Sequence, residues 1–299
     1  MENKYNAEWF KKRAFSSIQP IKPHVWDYSD SLLLYISSSV QEYESLQAES
    51  TLYFNLVTKP EREYLKSIAQ KVTSLLPENF EYVDLGPGTE HKEQFFFDEL
   101  KKQGKIFTYI PVDISQHYLE LASKHASDQG VSVHPIQSAF EEVAEILGEP
   151  TIPRFVNMGL TFSNYYPQVA LDLLKRIAGN GGYVFVNSQM RNRVDMAELQ
   201  KAYAQDALIL ADDKIRLLGL DPDKDVAKRE TNDKIEVWSS IFHVTPKLKE
   251  LGVCVGDKVL LFESLRYTPE QLEEELKKAS NRYVLFDVGA SFIAALIQT

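Results

Sequence analysis

Between residues 58 and 187 the apolar positions switch back and forth between two periods. Short apolar runs predict strands over 80–85, 106–112, 131–136, 154–158 and 181–187. Helical spacing predicts helices over 90–103, 115–129, 139–147 and 165–178. Such an alternation predicts a parallel sheet with helices on both faces. Ahead of it a helix is expected from Lys59 to Leu76, capped by Thr58 and ended by Pro77.

The rest of the chain has another character. Residues up to about Val57 read as helical and aromatic-rich, punctuated by Pro20 and Pro23, with Ser29, Asp30 and Ser31 as caps for 32–36. After Gln189 the rhythm breaks. Residues 195–218 read as helical, 221–233 as a charged loop, and 234–242 and 259–267 as strands, with a turn at Gly256 and Asp257. Thr268-Pro269-Glu270 opens a capped helix, and 283–288 with 291–297 reads as a closing hairpin. The expected fold is α/β, with 58–187 plus 266–299 as the main domain and 1–57 plus 188–265 as a small α+β domain.

One stretch concentrates the chemistry. The first strand ends in Asp84-Leu85-Gly86-Pro87-Gly88, and a helix is predicted next. Glycines there let the backbone turn sharply and approach a ligand. The next strand ends in Asp113, where a carboxylate can accept from both hydroxyls of a ribose. A dinucleotide fingerprint wants a third glycine, where Glu90 or His91 stands, and a spacing to the acid of roughly 20 residues, shorter than Gly86 to Asp113. Both departures argue against NAD.

Composition narrows the classes. The chain has 299 residues, 44% hydrophobic and 25% charged, which is ordinary for a folded globular protein. A net charge of −10 disfavours a nucleic-acid partner. No apolar stretch approaches the roughly 18 residues of a spanning helix, and the start from Met1 has no apolar signal core, so no membrane and a cytoplasmic setting are expected. The single cysteine, Cys254, reads as a buried, inert thiol rather than a nucleophile. The histidines, His91 and His125 among them, lack a spacing such as H-E-x-x-H, and no metal is expected.

Four segments carry a resemblance: Asp84 to Lys92, Tyr109 to Ser115, Gly159 to Pro167, and the pair Ile235 to Trp238 and Ser264 to Thr268. They resemble the bacterial and fungal amino-acid Nα-methyltransferases typified by histidine Nα-trimethylation in ergothioneine biosynthesis. The resemblance implies a Rossmann-like class I methyltransferase fold with S-adenosyl-L-methionine as cofactor, and a substrate-binding lid in the smaller domain. It implies that Gly86, Lys92 and Asp113 hold the cofactor, with Ala139 and Phe140 beside the adenine. Asp84, Gly88, Ile114 and Gly159 lie in the same loops, and Tyr28 is expected to close over the cofactor. Asn164 would bind the amino and carboxylate end of an amino acid and Tyr203 its carboxylate, the two acting as the catalytic pair. Read without the resemblance, Asn164 is a helix cap, Tyr203 a core aromatic and Lys92 a solvated lysine.

The departures bear on substrate. Leu56 stands where histidine-specific members place a tyrosine, and Phe262, two positions before Ser264, where they place a glutamate. Imidazole nitrogens left without those partners would cost about 1–3 kcal/mol each. With Val237, the two apolar residues predict a roomier, more apolar pocket, although a one-residue slip would put Glu263 in that place. The expected function is N-methylation of a small amino acid or derivative other than histidine. The alternatives are a non-catalytic methyltransferase-like binding protein and an NAD-linked oxidoreductase. The side chain of the substrate, the number of methyl groups and the oligomeric state are not readable from the sequence.

Overall fold

The computed structural model describes residues 4–36 and 40–299; Met1 to Asn3, part of the start considered above, lie outside them. The chain opens with α1 (Ala7–Ser17), β1 (Gln19–Lys22), β2 (Val25–Asp27) and α2 (Val40–Leu46). Then come α3 (Lys59–Ser74), β3 (Asn79–Leu85), α4 (Gln94–Lys102), β4 (Ile106–Asp113), α5 (Gln116–Asp128), β5 (Ser132–Val133) and β6 (Ile136–Gln137). They are followed by α6 (Val143–Leu147), β7 (Arg154–Gly159), α7 (Pro167–Ala178) and β8 (Tyr183–Gln189). Next are α8 (Met196–Ala202), α9 (Leu210–Leu217), β9 (Glu230–Thr231), β10 (Glu236–Ser240), α10 (Pro246–Glu250) and β11 (Lys258–Glu263). The last elements are α11 (Pro269–Ala279), β12 (Tyr283–Phe286) and β13 (Phe292–Gln298).

These elements form two compact units. The first takes the described residues up to Leu56 together with Met196–Leu265; the second is Val57–Asp195 with Arg266–Thr299. The sequence reading gave 188–195 to the smaller domain. They lie in the second unit, because β8 runs on to Gln189 alongside β13.

The second unit is built on an eight-stranded sheet in the order β12-β13-β8-β7-β3-β4-β5, with β6 also beside β4. β3, β4, β7 and β8 run parallel, and β13 pairs antiparallel with β8 and β12. The chain moves outward from β3 through β4 and then returns to β7 on the other side. This reversal is the switch point where α/β sheets bind ligands. Each strand alternates between two cores. Phe80, Tyr82, Tyr109, Phe155 and Phe185 pack with Phe96 and Phe97, and Val83, Ile110, Val112, Val156 and Val184 pack on the other face. Strands covered on both faces read as near-continuous apolar runs, which is why they were visible in the sequence.

Several local expectations fail for identifiable reasons. The predicted helix 90–103 begins only at Gln94, because His91 takes a left-handed backbone (φ 48°). Strand 131–136 is broken into β5 and β6 across His134-Pro135, since proline has no N–H for the ladder. Thr58 does not cap α3 with its side chain. Its backbone is already helical and continues a π-turn over Phe54–Thr58. Thr268 does cap α11, in a reciprocal pair with Gln271.

The first unit carries a separate five-stranded sheet, β1-β2-β11-β10-β9. Residues 19–27, read as part of a helical region, form the β1–β2 hairpin. β1 is exposed throughout and holds Pro20, so no alternation betrays it. β10 starts at Glu236 because Ile235 is left-handed (φ 61°). β10 and β11 run antiparallel with one irregularity: Phe262 faces Val237 and Leu260 faces Trp238, leaving Leu261 as an extra residue. Cys254, expected buried, is exposed. No helix among the described residues is long and apolar enough to cross a membrane.

Candidate cofactor and substrate sites

Both glycines after β3 sit in the left-handed region, Gly86 at φ 71° and Gly88 at φ 66°, where a side chain would be strained. The N–H of Gly86 donates to the Val112 carbonyl at 2.9 Å, tying the turn to the end of β4. A Cβ placed on Gly86 would stand 3.4 Å from the Phe140 ring and 3.6 Å from Thr161 Oγ1. The segments after β6 and β7 therefore converge on this bare backbone. Ala139 beside Phe140 is fully buried. Gly159 ends β7 at φ 51°, and its N–H donates to Asn157 Oδ1. Asn187, the last residue of the strand expected over 181–187, lies inside β8, which runs on to Gln189.

The two acids of the motif have different surroundings. Asp84 accepts from the Tyr109 hydroxyl at 2.8 Å and from Asn157 Nδ2 at 2.7 Å. Burial, and then the nearby Glu93 carboxylate, push its pKa up to about 7. With both oxygens engaged inside the sheet, Asp84 braces the turn from beneath, a role the sequence reading did not separate from ligand contact. Asp113 accepts from the Ser115 N–H at 2.8 Å, and burial raises its pKa to about 7 as well. Ile114 beside it is buried.

Lys92 is not a solvated helix lysine. It precedes α4, and its Nζ lies 2.9 Å from Glu61, whose other oxygen accepts from Asn187 Nδ2 at 2.9 Å. Burial acts to lower the Lys92 pKa, but Glu61 and Glu90 outweigh it and the net shift is upward. Asn164 ends a 3-10 turn over Leu160–Asn164 and is partly exposed. It is no helix cap, because α7 begins at Pro167 with Tyr166 in the cap position.

In the first unit the Tyr203 hydroxyl donates to Ser264 Oγ at 3.0 Å. The Tyr203 ring lies 5.4 Å from that of Tyr53 and 6.4 Å from that of Phe262. Val237 is the cross-strand partner of Phe262 and is fully buried. Paired residues of an antiparallel ladder share a face and their chain neighbours take the other. Phe262 thus stands on the Tyr203 side, while Glu263 pairs with Glu236 on the opposite face. Leu56 sits half-buried in the π-turn. Tyr53 was missed, although it lies only three residues before Leu56.

A buried lysine, Lys214, meets the bulge. Its Nζ is fully buried and donates to the carbonyls of Leu261, Tyr28 and Asp30 at 2.5, 2.6 and 2.9 Å. Burial draws its pKa down to about 7, against the nearby Asp30 and Asp27 charges. A bulge leaves its extra residue unpaired in the ladder, and here the ammonium takes that residue's carbonyl. Tyr28 belongs to the same cluster. It has no exposed surface, and its hydroxyl donates to the Lys214 carbonyl at 3.0 Å. That is the setting of a core residue, and it corrects the expectation that Tyr28 closes over a cofactor.

The structure also gathers His91, Glu93 and His125. Spacing could not show this, because His125 arrives from α5.

A doubly wound sheet with an antiparallel β13, a bare glycine turn at its switch point and an acid ending the adjacent strand form the frame of a class I methyltransferase. The donor set suits S-adenosylmethionine: backbone without side chains for close approach, an aromatic ring beside it, and a carboxylate for a ribose diol. The family described as histidine-specific methyltransferase, SAM-dependent, matches residues 31–218, more than half of the chain. The chain belongs to this family. It is 28% identical over 153 residues to the N-methyltransferase dtpB of Aspergillus flavus, a match spanning 50% of this chain and 39% of that protein, well under two thirds of its length. It is 23% identical over 244 residues to the histidine N-alpha-methyltransferase of Mycobacterium tuberculosis, covering 74% of this chain and 75% of that protein. Among solved structures, an SAM-dependent methyltransferase from Aquifex aeolicus aligns with 87% of this chain and 97% of its own, at 15% identity and a TM-score of 0.46.

Proposed function

We propose that this chain transfers a methyl group from S-adenosylmethionine to the amine of a small amino acid or amino-acid derivative whose side chain is more apolar than imidazole. The observation that carries the substrate reading is the face shared by Tyr203, Phe262 and Ser264, with Val237 paired to Phe262 and Glu263 turned away. With Phe262 and Ser264 on that face of β11 and Glu263 on the other, β11 offers no carboxylate to an imidazole N–H there, which disfavours histidine.

The residue roles below belong to the same proposal. Gly86, Gly88 and Gly159 give backbone without bulk, Phe140 and Ala139 form an apolar wall for the adenine, and Asp113 accepts from the ribose with Ile114 beside it. Lys92 is positioned by Glu61 to meet the cofactor's carboxylate. S-adenosylmethionine supplies an electrophilic methyl on a sulfonium. In the second unit Asn164 would bind the amino and carboxylate end of an amino acid; in the first, Tyr203 would bind a carboxylate, with Leu56, Val237, Phe262 and Ser264 as the residues that select a side chain. The amine reacts after shedding one proton to solvent, so its nitrogen gains the methyl without a strong acid from the protein. The rate comes chiefly from positioning, worth several kcal/mol.

Methyl transfer to a panel of free amino acids and small amines, followed by mass spectrometry, tests this. We expect product with an aromatic or aliphatic amino acid and little with histidine. Efficient methylation of histidine overturns the substrate reading. Binding of S-adenosylhomocysteine with no product on any amine overturns the catalytic one.

A further inference from the structure

Two histidines and a glutamate outside the roles assigned so far meet just past the glycine turn. His91 and Glu93 flank Lys92 ahead of α4, and His125 comes from the last turn of α5. The Nδ1 atoms of His91 and His125 lie 3.5 and 3.6 Å from the same oxygen, Glu93 Oε1. Their rings stand edge to face with centroids 4.0 Å apart.

Three features point to a ligand. The first is that Glu93 Oε1 is buried, on a side chain only 2% exposed, and has no hydrogen-bond partner. A carboxylate oxygen enclosed in this way is costly unless something positive meets it. The second is the spacing. Charge-assisted N–H···O bonds run to about 2.7–2.9 Å, so 3.5 and 3.6 Å are too long for direct ones. Two ligands each ~2.1 Å from a tetrahedral ion stand ~3.4 Å apart, which is close to what is found. The third is the support around the cluster. His91 is held at φ 48°, a conformation that persists only where its surroundings impose it.

We propose that His91 Nδ1, His125 Nδ1 and Glu93 Oε1 bind one divalent transition ion of the zinc class, which ties the segment after the glycine turn to α5. Two imidazoles and one carboxylate are a ligand set that zinc accepts, with water in the fourth position. The His91 side chain is 37% exposed, so solvent reaches that position. The ion adds to the methyl-transfer reading and does not depend on it. It stiffens the start of α4 and takes no part in the reaction.

The test uses the full chain without an affinity tag, freed of metal by a chelator and titrated with zinc chloride in a calorimeter. A parallel titration uses cobalt chloride, whose tetrahedral complexes absorb strongly in the visible. We expect one ion per chain, the intense cobalt absorption, and a higher melting temperature with zinc. His91→Gly suits the left-handed backbone and should fold; it and Glu93→Gln should each weaken binding by about 100-fold, an ion with three protein ligands losing one of them. Cys254→Ser should bind as the wild type does. The proposal is overturned by absence of binding, by a weak cobalt spectrum typical of six oxygen ligands, or by binding that survives His91→Gly or is lost in Cys254→Ser.

Discussion

Each unit holds a buried cation against backbone carbonyls, Arg154 in the second and Lys214 in the first, and the two keep different company. In the second unit Arg154 donates to the carbonyls of Leu147, Gly148 and Ile177, at or next to the ends of α6 and α7, and pairs with Glu81 at 2.7 Å. In the first unit Lys214 holds the carbonyls of Leu261, Tyr28 and Asp30, with no ion pair at close range among the described contacts. Arg154 closes regular elements whose last carbonyls need donors in any case. Lys214 closes irregular ones: a bulge and the stretch just past β2. The second unit is thus regular structure finished by a cation, and in the first a cation meets a bulge.

Replacing both cations sharpens the contrast. Lys214→Met removes the buried donor of the Leu261 and Tyr28 carbonyls, while the Asp30 carbonyl keeps the Leu33 N–H at 3.2 Å, and we expect a loss of about 3 kcal/mol. Arg154→Met removes bonds at helix ends that water can partly reach, and a loss of about 2 kcal/mol is expected. Urea unfolding separates them. All three tryptophans, Trp9, Trp26 and Trp238, lie in the first unit, so their fluorescence follows that unit. The comparison breaks if Arg154→Met shifts the tryptophan transition more than Lys214→Met does.

The cofactor side of the second unit offers the next effect. Asp113→Asn should weaken S-adenosylhomocysteine binding by about 10- to 100-fold, the range for a lost charge-assisted bond. Burial holds the Asp113 pKa near 7 against an ordinary value of 3.8, so the folded protein keeps a proton that the unfolded chain has lost. Its contribution to stability is full below about pH 4 and fades as pH rises to about 7. Ligand binding has the opposite sign, since a ribose diol needs the charged carboxylate. Affinity measured by calorimetry should increase from pH 6 to 8 in the wild type, and a flat profile there counts against Asp113 as the ribose acceptor.

The smallest effect belongs to the first unit. Tyr203→Phe removes one neutral hydrogen bond to Ser264, about 1 kcal/mol. It should raise the KM for the amino acid and leave S-adenosylhomocysteine affinity unchanged. A change in cofactor affinity alone would reassign Tyr203.

The same division explains what the sequence revealed. Strands β3, β4, β7 and β8 announce themselves because both faces are apolar, and Gly86 and Gly88 because few other residues take their backbone. The β1–β2 hairpin was hidden because β1 is exposed and proline-bearing and because β2 joins the sheet beside β11, far along the chain. Lys214 and Arg154 were invisible, since a buried cation looks like a surface one until its carbonyls are known. Asp84 and Asp113 read alike as motif acids, and only the Tyr109 and Asn157 hydrogen bonds show that the first faces inward. The His91–Glu93–His125 cluster has no sequence period, as two distant segments supply it.

The extra residue in β11 bears on how such a protein changes what it recognises. Pairing without the bulge, with Leu260 still opposite Trp238, would turn Leu261 and Glu263 toward Val237 in place of Phe262 and Ser264. An acidic wall and an apolar wall are therefore both written in the same six or seven residues, and the backbone selects which is displayed. If this face recognises the substrate as proposed, a slip of the strand would exchange one preference for the other with no substitution on that face. The position that guards against that drift is Lys214, whose ammonium binds the Leu261 carbonyl from a helix elsewhere in the unit.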